Sequence, residues 1–168
     1  MQTFTPTTTF DSEARKAALD VMNELIQLDY DAIQAYEQAI ERCEDSAARA
    51  DLISFQADHQ RHITDLSQAV RLMGGQPEGC GRDLKGILLE GLTALRSVSG
   101  TLGALRAMKL NEKLTNRSYE RALEARLPGS ARDVVFRNRE DERRHLAAIE
   151  MHIERLSDGH TRATLRPS

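Results

Sequence analysis

Two short segments of the chain pair residues that could bind a metal. Glu142 and His145 are three positions apart, and so are His59 and His62. On an α-helix, residues three apart lie on the same face, so each pair can direct both side chains toward one point. Carboxylates and neutral imidazoles suit iron, manganese and zinc. Each segment is therefore a candidate metal-binding pair.

Two further carboxylates can complete this set. Asp29 precedes His62 by 33 residues, and Glu112 precedes His145 by the same 33 residues. If each half of the chain forms a helical hairpin, this equal spacing brings a carboxylate and an imidazole to matching heights in both hairpins. The complete set of candidate metal ligands is Asp29, His59, His62, Glu112, Glu142 and His145.

Each of these residues interrupts a stripe of apolar residues that recurs every three or four positions. Four such stripes predict four amphipathic helices, which begin near residues 11, 45, 101 and 130 and end near residues 43, 74, 126 and 158. Burying an unpaired charge costs several kcal/mol, so the ionisable residues on the stripes need partners. The first stripe reads Met22, Ile26, Asp29, Ile33, Tyr36 and Ile40.

The two halves of the chain repeat each other at an offset of 83 residues. Asp58 aligns with Asp141, Arg61-His62 aligns with Arg144-His145, and Tyr36 aligns with Tyr119. A repeat that includes polar residues indicates two equivalent helical pairs with approximate two-fold symmetry. In the same alignment Asp29 meets Glu112, whereas His59 meets Glu142.

The connections between the predicted helices define the fold class. The first pair and the second pair are each joined by only a few residues, so each pair must be an antiparallel hairpin. A long connection, residues 74–100, joins the hairpins, and its apolar residues predict a helix that crosses the bundle. The sequence thus predicts an all-α, ferritin-like four-helix bundle with one long crossover. The apolar residues of the connection are Leu84, Ile87, Leu88, Leu92, Leu95 and Val98.

Composition excludes several classes of protein and sets the domain limits. The 168 residues include 23 basic and 26 acidic ones, which are interspersed, so no nucleic-acid-binding surface is expected. No apolar run approaches the ~20 residues needed to span a membrane, and two isolated cysteines predict no disulfide, so we expect a cytoplasmic protein. We expect one bundle at residues 11–157, with flexible tails at 1–10 and 158–168. A homodimer remains open.

Together these residues resemble the rubrerythrin and bacterioferritin branch of the ferritin-like superfamily, in particular its uncharacterised bacterial four-helix-bundle members. The family pattern has a carboxylate on helices one and three and Glu-x-x-His on helices two and four. Asp29, Glu112 and the segment 142–145 follow this pattern. The segment 59–62 departs from it, because His59 stands where the family has Glu. The resemblance covers residues 18–156.

The resemblance implies a metal centre of the di-iron type in the bundle core, with zinc or manganese as alternatives to iron, and a role in redox chemistry or oxidative stress. Because His59 replaces a bridging Glu, a dinuclear site, a single-metal site and a lost site all stay open. The alternative function is a metal-free bundle that acts through partner binding or a structural role, with the six residues forming a hydrogen-bonded cluster. Whether the protein is an enzyme, and on what substrate, stays open.

Overall fold

The computed structural model describes residues 8–79 and 100–164, which form four α-helices. These are α1 (Thr8–Arg42), α2 (Ser46–Leu72), α3 (Gly100–Glu124) and α4 (Gly129–Thr164). Helix α1 packs against α2 and α3, and α4 packs against the same two helices, so the four form a closed ring. The predicted all-α four-helix bundle is confirmed.

The connections within each half of the chain are short. Residues 43–45 join α1 to α2, and residues 125–128 join α3 to α4. Helices joined by so few residues must run antiparallel, which confirms the two predicted hairpins. The predicted crossover helix falls mainly on residues 80–99 and lies outside the described residues.

Reciprocal contacts between the hairpins confirm the approximate two-fold symmetry. The Tyr36 hydroxyl donates a hydrogen bond to Oε1 of Glu112 at 2.5 Å. The Tyr119 hydroxyl donates one to Oδ2 of Asp29 at 2.7 Å. Both members of the second bond follow from the first by the 83-residue offset. The two tyrosines are therefore core residues with a hydrogen-bonded hydroxyl, as their positions on the stripes predict.

The buried apolar residues form two clusters, one toward each end of the bundle. Alanines at the centre of α1 are fully buried, whereas Ile33 and Ile40 of the predicted stripe are only partly buried. Small side chains let neighbouring helices approach closely. None of the described helices combines the length and apolar character that crossing a membrane requires. The first cluster includes Ala35, Ala39, Leu52, Leu105, Met108 and Ile149, and the second includes Met22, Ile26, Leu66, Val70, Ala131 and Val135.

The outer ends of the bundle differ from the predicted limits. Helix α1 begins at Thr8, before the predicted start at residue 11, and α4 continues to Thr164, past the predicted end near residue 158. Both limits had been placed at residues that often flank helices. An acidic residue is also favourable inside the first turn, and a glycine weakens a helix by about 1 kcal/mol without having to end it. The bundle therefore includes part of both predicted tails.

The end of α2 shows why the chain turns where the sequence predicts. The N–H of Gly75 donates to the carbonyl of Val70, and the N–H of Gly74 donates to that of Arg71. This pair of bonds is a Schellman motif, which needs a left-handed residue, and Gly74 supplies it with φ of 74°. From α1, Arg15 donates to the carbonyls of Met73 and Gly74, so the motif also ties α2 to its hairpin partner.

We expect Gly74→Ala to lower the free energy of unfolding by about 1–2 kcal/mol, because alanine is strained in the left-handed region. An added Cβ would also lie 2.6 Å from Nη2 of Arg15. Gly129→Ala is the matched control, since its Cβ would meet no atom within 4 Å and its φ is not positive. Chemical denaturation of both variants tests the prediction, and equal losses of stability would contradict it.

Candidate metal centre

The six predicted ligand residues meet in a polar layer between the two apolar clusters. Helix α1 contributes one of them, α2 two, α3 one and α4 two. All six side chains are completely shielded from solvent. The prediction that they converge in the interior is confirmed for every one of them: Asp29, His59, His62, Glu112, Glu142 and His145.

Their ligand atoms form two overlapping groups of four. Within each group, the four atoms lie within 4.8 Å of one another, and His59 and Glu142 belong to both groups. Atoms bound to one metal at ~2.0–2.2 Å lie roughly 3–3.5 Å apart. The measured separations in the first group, 2.9 to 3.7 Å, are close to that spacing. This buried cluster could therefore hold a metal ion. The first group is Asp29, His59, His62 and Glu142, and the second is His59, Glu112, Glu142 and His145.

Two aspartates orient two of the histidines from outside the cluster. Nε2 of His62 lies 3.2 Å from Oδ2 of Asp141, and Nε2 of His145 lies 3.0 Å from Oδ2 of Asp58. A carboxylate accepts the Nε2–H, which leaves Nδ1 of each ring facing the interior. Metal-binding histidines are commonly fixed in this way by an outer carboxylate, which sets the tautomer and the direction of the ring.

A ring of ion pairs holds these two aspartates in place. Arg61 contacts Asp58 at 2.8 Å and Asp141 at 2.6 Å, while Arg144 contacts Asp141 at 2.6 Å and Asp58 at 2.9 Å. Sequence reasoning did not give these four residues a role at the site. The available signal was the repeat itself, because Asp58 and Arg61 recur as Asp141 and Arg144 beside the candidate ligands.

We expect Asp141→Asn to weaken metal binding roughly 10–100-fold, the usual cost of losing an outer carboxylate partner of a ligating histidine. Asp58→Asn should have a similar effect, since it stands in the same relation to His145. Asp133→Asn, an exposed position on the same helix, is the control. Titration of metal-free protein against a chelator of known affinity measures the change. Unchanged affinity in both cluster variants would contradict the outer role of the two aspartates.

Hydrogen bonds from the histidines keep two of the buried carboxylates ionised. Burial by itself would raise the pKa of Asp29, but its bonds with His59 and His62 outweigh burial and lower it. The pKa of Glu112 is lowered in the same way, against burial, chiefly by His59. These two carboxylates are therefore negatively charged at neutral pH.

The other four groups complete the charge balance of the metal-free protein. Burial raises the pKa of Glu142 to about 8 and lowers that of His145 to about 4, so both are neutral at pH 7. Burial opposes protonation of His62, but Asp29 and Glu142 outweigh it and raise its pKa to about 9. The pKa of His59 is also raised against burial, by Glu142 and Asp29. Two imidazolium and two carboxylate charges therefore cancel.

Several inward-facing atoms of the cluster have no hydrogen-bond partner within the described part of the chain. Buried polar atoms are nearly always paired, and unpaired ones call for an explanation. The unpaired atoms all belong to the shared core of the two groups, whereas the outer nitrogens of His62 and His145 are paired. They are Nε2 of His59, Nδ1 of His62 and His145, Oε2 of Glu112 and both carboxylate oxygens of Glu142.

Comparison with known proteins supplies the family. The chain matches the family described as Domain of unknown function (DUF2383) over residues 17–125. The matched region includes most of α1 and all of α2 and α3, whereas Glu142 and His145 lie beyond it. No curated protein matches the chain. Because the match extends over more than half of the sequence, the chain belongs to the DUF2383 family.

Proposed function

We propose that this protein is a ferritin-like metal-binding protein whose bundle core holds two divalent transition-metal ions. The observation that carries the proposal is the direction of the unpaired atoms. Imidazole nitrogens and carboxylate oxygens converge on the same interior volume without hydrogen-bond partners among the described residues. Donor atoms placed in this way, with their outer sides already fixed, are the arrangement that metal ligands require.

A metal-free cluster accounts for only part of this arrangement. Protons can balance the charges, and the bond between Nδ1 of His59 and Oδ1 of Asp29, at 2.9 Å, belongs to that state. However, Nδ1 of His62 lies 3.2 Å from Oε1 of Glu142 without a hydrogen bond between them. Leaving a buried polar group unpaired costs about 1–3 kcal/mol. The metal-free reading leaves this cost unexplained, whereas a bound cation removes it.

The donor set indicates which metals fit. Each group offers two nitrogens and two carboxylate oxygens, a mixture that suits iron, zinc or manganese. Bound iron would supply one-electron redox chemistry. The chain itself contributes a closed site, since all six ligand side chains are buried, and the hydroxyls of Tyr36 and Tyr119 fix the direction of the Glu112 and Asp29 carboxylates. We therefore propose iron as the resident metal and redox chemistry as its use.

Elemental analysis tests the proposal. The protein is purified without added metal, incubated separately with Fe²⁺, Zn²⁺ and Mn²⁺, passed through a desalting column and analysed. We expect about two ions per chain for at least one metal, one for each group of four ligands. Substoichiometric content with all three metals would leave the hydrogen-bonded cluster as the answer and remove the case for redox chemistry.

A further inference from the structure

We propose that His59 is a bridging ligand, which presents one ring nitrogen to each of two metal ions. This inference rests on the proposed function, because it needs both metal positions. It concerns the residue at which the two halves of the chain differ most in chemistry. His59 aligns with Glu142 at the 83-residue offset, and these are the two residues that both groups share.

The two ring nitrogens of His59 face different groups. Nδ1 lies 2.9 Å from Oδ1 of Asp29 and 3.5 Å from Oε1 of Glu142, which are members of the first group. Nε2 lies 3.7 Å from Oε1 of Glu112, a member of the second group. The imidazole ring therefore stands between the two metal positions, with one nitrogen directed to each.

The other two histidines of the cluster are held differently. His62 and His145 each turn Nε2 outward to an aspartate and only Nδ1 inward. His59 makes no such outer contact. The only hydrogen bond of its Nδ1 is with another candidate ligand, Asp29, and its Nε2 has no hydrogen-bond partner among the described residues. Both nitrogens are therefore available to the interior, as a bridging ligand requires and a terminal ligand does not.

Charge balance favours the same assignment. Two divalent ions bring four positive charges into a fully buried site, where an uncompensated charge is costly. Asp29, Glu112 and Glu142 supply three negative charges. An imidazole that binds a metal through both nitrogens has lost its second proton and supplies the fourth. The step balances when neutral His59, bound to the first ion through one nitrogen, releases its remaining N–H proton to solvent as the second ion binds.

A bridge of this kind sets the distance between the ions. A metal–nitrogen bond is ~2.0–2.1 Å long and the two nitrogens point away from each other, so the ions would be about 6 Å apart. In the two-metal sites of many enzymes the separation is ~3.5–4 Å. The two arrangements are therefore distinguishable by measurement.

The experiment uses the full chain loaded with Cu²⁺, which binds nitrogen and oxygen sites tightly. Elemental analysis gives the copper content, X-ray absorption gives the metal–metal distance, and electron paramagnetic resonance reports magnetic coupling. For the natural chain we expect two coppers that are magnetically coupled, with no metal–metal vector at ~3.5–4 Å. The matched variant His59→Glu restores a carboxylate like that of Glu142, and we expect the short vector to appear in it.

The outcomes separate this inference from the proposed function. Copper content well below one ion per chain in the natural protein would overturn the proposed function and the inference with it. A single bound copper, two uncoupled coppers, or a short metal–metal vector in the natural chain would overturn the bridge and leave metal binding standing. The natural chain alone decides these points if His59→Glu does not fold.

Discussion

Replacing Glu142 with glutamine should remove most of the metal binding and leave the fold intact. Glu142 belongs to both groups of candidate ligands, so one substitution weakens both metal positions at once. Glutamine keeps the size of the side chain but loses the negative charge. The loss of affinity should exceed the roughly 10–100-fold that removal of an outer-shell partner causes.

The metal-free fold should tolerate this substitution because of the electrostatics of the site. Burial raises the pKa of Glu142 to about 8, so at pH 7 the metal-free protein contains the neutral acid. A glutamine resembles that acid in shape and lacks charge in the same way. Rearranged hydrogen bonds with His62 should cost at most ~1–3 kcal/mol. A large loss of metal with a small loss of stability is therefore the expected combination.

Glu140→Gln is the matched control, since Glu140 lies on the same helix, undergoes the same chemical change and pairs at the surface with Arg139 and Arg143. Metal content is measured by elemental analysis, and stability by denaturation of the metal-free proteins. The same metal content in Glu142→Gln and the natural chain would contradict the role of Glu142. A comparable loss of metal in Glu140→Gln would show that the effect is not specific to the site.

The sequence predicts most of the fold because its signals repeat. Four apolar stripes, two short connections and an 83-residue repeat leave little freedom in the arrangement of the helices. The same stripes identify all six buried ionisable residues, since a charge in the middle of an apolar face must be buried with its neighbours. The ends of α1 and α4 were predicted less well, because residues such as Asp11 or Gly159 are compatible with both a helix end and a helix interior.

The outer contacts of the site could not be predicted from helical spacing. Asp58 lies four positions before His62 on α2, yet it holds His145 on α4, and Asp141 holds His62 in return. Spacing along one helix reveals which residues share a face, whereas these contacts cross between helices and depend on how α2 and α4 pack. The direction of each nitrogen of His59 is likewise a property of packing. From the sequence, His59 could only be described as the residue in place of a glutamate.

Metal affinity should fall steeply as the pH is lowered. A metal binds neutral imidazole and ionised carboxylate, so any proton on these groups must leave when the metal binds. In the metal-free protein the pKa of His62 is raised to about 9, by Asp29 and Glu142 acting against burial, and burial raises that of Glu142 to about 8. Below pH 8 both groups hold a proton that the metal must displace. His145, with a pKa lowered to about 4 by burial, contributes no such proton between pH 6 and 8.

Each displaced proton weakens the apparent affinity about tenfold for every pH unit, so two protons should weaken it at least about 100-fold per unit between pH 8 and pH 6. The sign follows from the direction of the shifts, because both pKa values lie above the pH range tested. Competition between the protein and a chelator for Zn²⁺, at several pH values, measures this dependence. In Glu142→Gln one of the two protons is absent, so the residual binding should change only about tenfold per unit. An affinity that is independent of pH would mean that metal binds elsewhere in the chain, away from His62 and Glu142.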